Sequence, residues 1–249
     1  MARAVHDARV AVVPLSYEIT EATPLEFKTF KRGDQGWPVI ACQLALNTHY
    51  KAPRLVLDGF FGPNSEQVAI EVQAALGIGQ DGIVGPLTQE RFVKAKCKHA
   101  EKGVTPAGLL AGSCNIESSY QLACVSELND NGTHDVGTTQ MSIPWPAHES
   151  PLLLAFNPDA SAHLLAGEMS GFHKAVLAKV SAQRSWELAA LNHNWPAAAA
   201  ALAHGASGEA WLDKPFAFTT AKGYATGLAY ANHYIDVATA QVENWTVAP

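Results

Sequence analysis

An eight-residue pattern occurs twice in this chain, and it constrains the fold more than any other feature. Asp58-Gly59-Phe60-Phe61-Gly62-Pro63-Asn64-Ser65 returns 23 residues later as Asp81-Gly82-Ile83-Val84-Gly85-Pro86-Leu87-Thr88. Asp-Gly favours a tight turn, because glycine takes positive φ without a Cβ penalty. The second glycine lets the chain turn again, and the proline after it sits where a first helical residue needs no N–H. Glu66 and Glu90 then fall in the first turn of the helices that follow, where the helix dipole favours an acid. Upstream, Val39, Ile40, Leu44 and Leu46 form an amphipathic pattern. The spacing predicts a small three-helix bundle over residues 31–98.

The remainder divides around that unit. Residues 1–30 alternate weakly and read as an N-terminal arm with one or two short strands. The polar stretch 97–104 suits a linker or a helix end. From Thr105 to about Ala240 the chain is alanine-rich and helical in period, with loops at 129–151 and 205–222. The fold class expected is mainly α: the bundle, then an α+β domain over 103–249 carrying a short β-hairpin.

Composition removes several classes. At 48% hydrophobic and 16% charged, the 249 residues can bury a core, so disorder is not the main state. Four cysteines do not make a disulfide scaffold, and with no C-x-x-C pair the expectation is buried thiols, a Cys114–Cys124 bridge being the alternative. No run of 18 apolar residues exists, so no membrane insertion is expected. The first residues lack an apolar h-region, and synthesis in the cytoplasm is expected. Residues 1–102 carry 12 basic against 11 acidic side chains, and residues 103–249 carry 5 against 12. The acidic second half argues against nucleic acid as a partner. His134, His148, His163 and His173 lack ligand-like spacing, so neither a metal nor another cofactor is expected.

The bundle carries further marks: Arg32–Val39 reads R-G-D-x-G-x-x-V, Gln43–Leu46 reads Q-x-x-L, and Gln73 lies between the two repeats. With Asp58–Ser65 and Asp81–Thr88, these resemble the peptidoglycan-binding domain found beside many cell-wall hydrolases. The resemblance implies bacterial peptidoglycan as partner, with Asp58, Gly62, Asp81 and Gly85 in the wall-binding module.

The chemistry lies in the second half. Thr105-Pro106 is a helix-start signal, and the helix runs through Leu109, Leu110, Cys114 and Ile116 to Glu117. A carboxyl that loses solvent there has a raised pKa, as a general acid requires. Asn129 to Gln140 reads as a β-hairpin turning at Asn131-Gly132, its second strand bearing Asp135, Gly137 and Gln140. A helix-borne Glu and a hairpin-borne Asp can flank a glycosidic bond.

These two segments, PAGLLAGSCNIESSY and NDNGTHDVGTTQ, resemble the acid-bearing helix and the hairpin of lysozymes and lytic transglycosylases. The resemblance implies Glu117 as catalytic acid, Asp135 as second carboxylate with Asp130 as its rival, and Gly137 and Gln140 at the cleft floor. Thr138-Thr139 and Met141-Ser142 depart from the family pattern. Trp186–Pro196 resembles a transglycosylase segment whose Asn contacts substrate, which implies Asn194, with Asn192 second. Lys222–Thr226 resembles a segment whose Tyr lies near the acid, implying Tyr224. Trp145, Trp195 and Trp211 could stack on sugars or pack in the core.

The combination is similar to modular phage endolysins. It implies cleavage of the β-1,4 bond between N-acetylmuramic acid and N-acetylglucosamine, with passage to the wall through a holin. A lytic transglycosylase forming 1,6-anhydro sugar and a non-catalytic wall-binding virion protein stand as alternatives. A wall amidase or peptidase would need zinc ligands or a Cys/His pair.

Overall fold

The sequence repeat is a repeat of hydrogen bonds. The computed structural model describes residues 19–20, 29–243 and 245, so most of the arm at 1–30 lies outside the described residues. Helices α1 (Trp37–Asn47), α2 (Pro63–Ala75) and α3 (Pro86–Ala100) make up the first unit. From α1, Gln43 Nε2 donates to Asp58 Oδ1 at 2.7 Å and to the Phe60 carbonyl at 3.1 Å, while Gly59 N–H donates to Gln43 Oε1 at 3.1 Å. From α2, Gln73 Nε2 donates to Asp81 Oδ1 at 2.7 Å and to the Ile83 carbonyl at 3.0 Å, and Gly82 N–H donates to Gln73 Oε1 at 2.9 Å.

Each glutamine is buried and clasps the turn before the next helix. Asp58 and Asp81 also accept from Phe60 N and Ile83 N, both at 2.9 Å, so each aspartate is a turn latch. Gly59 and Gly82 take φ of +69° and +72°, as the Asp-Gly reasoning requires. Gly62 and Gly85 do not turn the chain that way. They are extended N-caps, at φ −87° and −86°, with Pro at the first helical position.

The clasp predicts the cost of its loss. In Gln73→Ala the Gly82 N–H and the Asp81 carboxylate lose their buried partner, and we expect a loss of about 2 kcal/mol. The midpoint of urea unfolding measures it.

Helix α3 continues to Ala100, so Cys97 and Ala100 are buried helical positions and not part of a linker. Cys97 Sγ lies 3.7 Å from Cys114 Sγ, Gln89 Oε1 accepts from Leu122 N–H at 2.9 Å, and the Trp37 and Phe156 rings stand 5.5 Å apart. One apolar core therefore runs from the first unit into the second. None of the four cysteines forms a disulfide, and Cys114 has Cys97 as its sulfur neighbour.

The second half contains α4 (Leu109–Ser118), β1 (Thr133–Val136), β2 (Met141–Pro144), α5 (Glu149–Phe156), α6 (Pro158–Val176), α7 (Ala182–Asn194), α8 (Pro196–Leu202), α9 (Ala206–Leu212), α10 (Ala217–Ala221) and α11 (Gly227–Thr239). The described residues are thus mainly helical with one two-stranded antiparallel sheet. None of their helices is long and apolar enough to cross a membrane.

Helix α4 begins at Leu109, three residues later than Pro106 suggested, after Gly108 at φ +88°. The cap is not Thr105. Buried Glu101 reaches over from beyond α3 and accepts from Leu110 N–H at 3.1 Å. Helices α6 and α7 pack along each other, and α11 lies across both α4 and α7.

The hairpin also differs from expectation. Asn131-Gly132 does turn the chain: Asn129 N–H donates to the Thr133 carbonyl at 2.7 Å and Ser126 N–H to the Asp135 carbonyl at 2.9 Å. The regular ladder, however, is between β1 and β2, with Asp135 opposite Ser142. Gly137 and Gln140 therefore sit in the turn joining β1 to β2 and not on a strand.

Candidate functional site

Glu117 occupies the last turn of α4, and local backbone geometry holds it there. After Ser118 the helix closes with two bonds, Ser119 N–H to the Asn115 carbonyl at 2.9 Å and Tyr120 N–H to the Cys114 carbonyl at 3.3 Å. Ser119 and Tyr120 have φ of +52° and +65°, a conformation that costs a non-glycine residue energy. Ser118, buried, donates Oγ to the Cys114 carbonyl at 3.1 Å and to the Thr138 carbonyl at 2.9 Å. That second bond ties the acid-bearing helix to the hairpin turn.

The Glu117 carboxyl looks into an open cleft of 460 Å³. Asp135, Gln140, Asn194, Tyr224 and Tyr234 line the same space. From α11, fully buried Tyr234 donates its hydroxyl to Glu117 Oε1. Burial raises the Glu117 pKa above the ordinary carboxylate value. His193, the Tyr234 bond and Lys222 pull it back, Asp135 pushes it up further, and the net direction is upward.

Asp135 has a different environment. It is half-buried on β1, its Oδ1 accepting from Ser142 Oγ across the ladder and its Oδ2 from Asn129 Nδ2 at 3.2 Å. Ser142 is one of the departures from the family pattern, and here it supplies that hydrogen bond. Asp130 stands exposed on the preceding turn and does not line the cleft. Asp135, not Asp130, lines the cleft with Glu117.

The other residues singled out by sequence divide between cleft and scaffold. Gln140, at φ +51°, lines the cleft and donates Nε2 to the Gly137 carbonyl at 2.9 Å. Gly137 is buried behind it at φ +77°, where a Cβ would lie 2.0 Å from the Ala155 carbonyl oxygen. Asn194, the last residue of α7, accepts from the Tyr230 hydroxyl at 2.9 Å. Asn192 turns away and donates to Glu168 Oε1 at 3.1 Å. Tyr224 stands edge-on to Tyr230, ring centroids 5.4 Å apart.

The tryptophans do not line this cleft. Trp195 packs among Trp211, Phe216, Phe218 and Tyr230, and Trp145 meets the His134 ring edge-on at 5.1 Å. In the first unit a second cavity, of 330 Å³, is lined by Gln43, Arg54, Asp58, Phe60 and Gly62. Asp81 and Gly85 do not line it.

Sequence reasoning missed a charged pair behind the acid. His193 Nε2 faces the Thr139 carbonyl and Nδ1 faces Glu168 Oε2 at 3.0 Å. Both partners only accept, so both ring nitrogens carry protons and the imidazole is a cation. Burial opposes that charge, but the bond to Glu168, the nearby Glu117 and Glu168 carboxylates, and the Thr139 carbonyl outweigh it. They push the pKa up to about 9. Tyr230, Tyr234 and Lys222 were missed as well, Lys222 Nζ donating to the Tyr230 hydroxyl at 3.4 Å. The Tyr230/Tyr234 spacing of one helical turn was the only local signal for that face.

No protein-family model matches the chain, and no curated protein matches it. Among solved structures, a likeness is found to the crystal structure of the Burkholderia AP3 phage endolysin. It is 19% identical, spans 88% of this chain and 98% of that one, and has a TM-score of 0.25.

Proposed function

We propose that this chain is a peptidoglycan hydrolase that lyses bacterial cell walls by cutting the β-1,4 bond between N-acetylmuramic acid and N-acetylglucosamine. One observation carries the reading: a carboxyl whose pKa is raised by desolvation, Glu117, shares an open polar cleft with a second carboxylate, Asp135, held by two side-chain donors. Two acids in unlike environments divide the roles of acid and anion.

In this reading Glu117, protonated, gives its proton to the glycosidic oxygen as the bond breaks. The Tyr234 hydroxyl fixes the rotamer of the carboxyl. Asp135, ionised, faces the positive charge that develops at the anomeric carbon or takes a proton from the attacking water. Gln140, Asn194 and Tyr224, with Tyr230 and Lys222 behind them, supply amide, hydroxyl and ring surfaces suited to N-acetyl sugars. Gly137 acts through packing: it lets the turn approach α5.

Residues 31–98 form the wall-binding unit of this proposal and 103–249 its catalytic unit. Asp58 and Asp81 latch the turns, which leaves Arg54 and the exposed Phe60 around the 330 Å³ cavity as the surface for wall contact. Release to the wall through a holin belongs to the same proposal.

The test is release of reducing sugar from purified peptidoglycan. Reducing groups rising with protein concentration support the reading, whereas new free amino groups alone would assign the chain to peptide or amide cleavage.

His193 makes a separate prediction. Its positive charge lowers the Glu117 pKa, so removing it lets that pKa rise. Since the protonated acid is the active form, the alkaline limb of the pH–rate profile moves to higher pH in His193→Gln. An unmoved limb, measured on purified peptidoglycan, would remove His193 from the electrostatics of the acid.

A further inference from the structure

We propose that His99, Asp159 and His163 form a binding site for a borderline divalent metal, zinc in the first instance, which clips α3 to α6. His99 is 60 residues from Asp159 in sequence, and helix packing brings one ligand atom from each of the three to within 4.8 Å of the others. His99 lies near the end of α3, its Nδ1 3.2 Å from Asp159 Oδ1. Asp159 and His163 lie one turn apart in the first turns of α6, with His163 Nδ1 4.0 Å from Asp159 Oδ2. The two imidazoles meet edge to face, centroids 5.2 Å apart.

This donor set is specific. Two imidazole nitrogens and one carboxylate suit zinc and its neighbours, whereas calcium and magnesium prefer all-oxygen sites. Tetrahedral zinc with bonds of about 2.0–2.1 Å places its donors roughly 3.4 Å apart. The side chains of His99 and His163 are 60% and 47% exposed, so both rings can swing inward over that difference, leaving the outer position to water.

Two supports around the site are already in place. His163 Nδ1 lies 2.7 Å from its own helix's Asp159 carbonyl, which keeps the ring beside the turn that carries the carboxylate. Asn157 Oδ1 accepts from Asp159 N–H at 3.1 Å and Ala160 N–H at 3.0 Å, holding the turn that carries the carboxylate. Lys96, the nearby cation on α3, points elsewhere and donates to the Thr48 carbonyl at 2.6 Å. Spacing along the chain could not disclose such a site, and the sequence-based expectation of no metal is the one this proposal opposes.

The test is calorimetric titration of the full chain with zinc chloride in a non-chelating buffer, repeated on His99→Ala/His163→Ala and, as control, on His204→Ala. We expect one zinc per chain, affinity at least about tenfold weaker in the double variant, and no change in the control. Zinc at about 100 times its Kd should raise the thermal midpoint by roughly 5–10 °C in the wild type and in His204→Ala only. Magnesium should do neither. Absence of saturable binding overturns the proposal, as does binding or a midpoint shift that survives in the double variant.

Discussion

Glu117→Gln is expected to lower glycan cleavage by roughly 10²–10⁴-fold while the fold survives. The amide has the shape of the acid and still accepts from the Tyr234 hydroxyl, but it has no proton to give to a leaving oxygen. Stability should move the other way. The folded-state pKa of Glu117 is raised above that of the unfolded chain, so its contribution to stability is complete below the ordinary glutamate range. That contribution is lost as pH rises through the folded-state pKa, because a buried acid must then ionise. Glutamine never ionises. At pH 8 the variant should melt no lower than the wild type, and the difference should vanish near pH 4. Thermal melts at the two pH values, alongside the assay, separate a lost proton donor from a lost fold. A variant that melts low at both would transfer Glu117 from chemistry to scaffold.

The second large effect is expected at Gly112→Ala, a substitution that touches nothing in the cleft. Gly112 on α4 faces α11, and Gly108, the N-cap one turn earlier, faces the chain after α11. A Cβ on Gly112 would stand 1.8 Å from the Ala238 carbonyl oxygen, and one on Gly108 would stand 1.7 Å from that of Gln241. Backbone cannot yield as a side-chain tip can, so the helices must separate. We expect a loss of about 3 kcal/mol, at the upper end for overpacking, and a thermal midpoint lower by roughly 6–12 °C. The consequence for function follows from which helices they are: α4 ends in Glu117 and α11 carries Tyr234, its hydrogen-bond donor. Activity measured at a temperature where the variant is folded should therefore still be reduced, because the acid and its tether have moved apart. Full activity in the folded variant would show that the Tyr234 contact does not govern the acid.

What the sequence disclosed and what it hid follow from the range of the interactions. The turns that Gln43 and Gln73 clasp were legible, since a turn sequence repeated at 23 residues must solve the same local problem twice, but the clasps themselves span helix to turn and were not. That Glu117 ends a helix and that Asp135 follows a tight turn were legible, because a helix end and a tight turn declare themselves within a few residues. Asp135 and Asp130 could not be separated that way. Only the β1–β2 register puts Asp135 opposite Ser142 and in the cleft. The start of α4 was misplaced because its cap is the Glu101 carboxylate, which no local rule associates with Leu110. The His193–Glu168 pair and the Tyr234 tether join helices 25 and 117 residues apart, and nothing in either segment announces the other.

The central claim is that this cleft breaks a glycosidic bond with Glu117 as the acid. Mass spectrometry of the muropeptides released from purified peptidoglycan tests it most directly. Fragments ending in reducing N-acetylmuramic acid from the wild type, and none from Glu117→Gln, are the expected result. Fragments lighter by one water would keep Glu117 as the acid and assign ring closure, rather than water activated by Asp135, to the second step. Glycan strands left at full length by the wild-type protein would contradict the account.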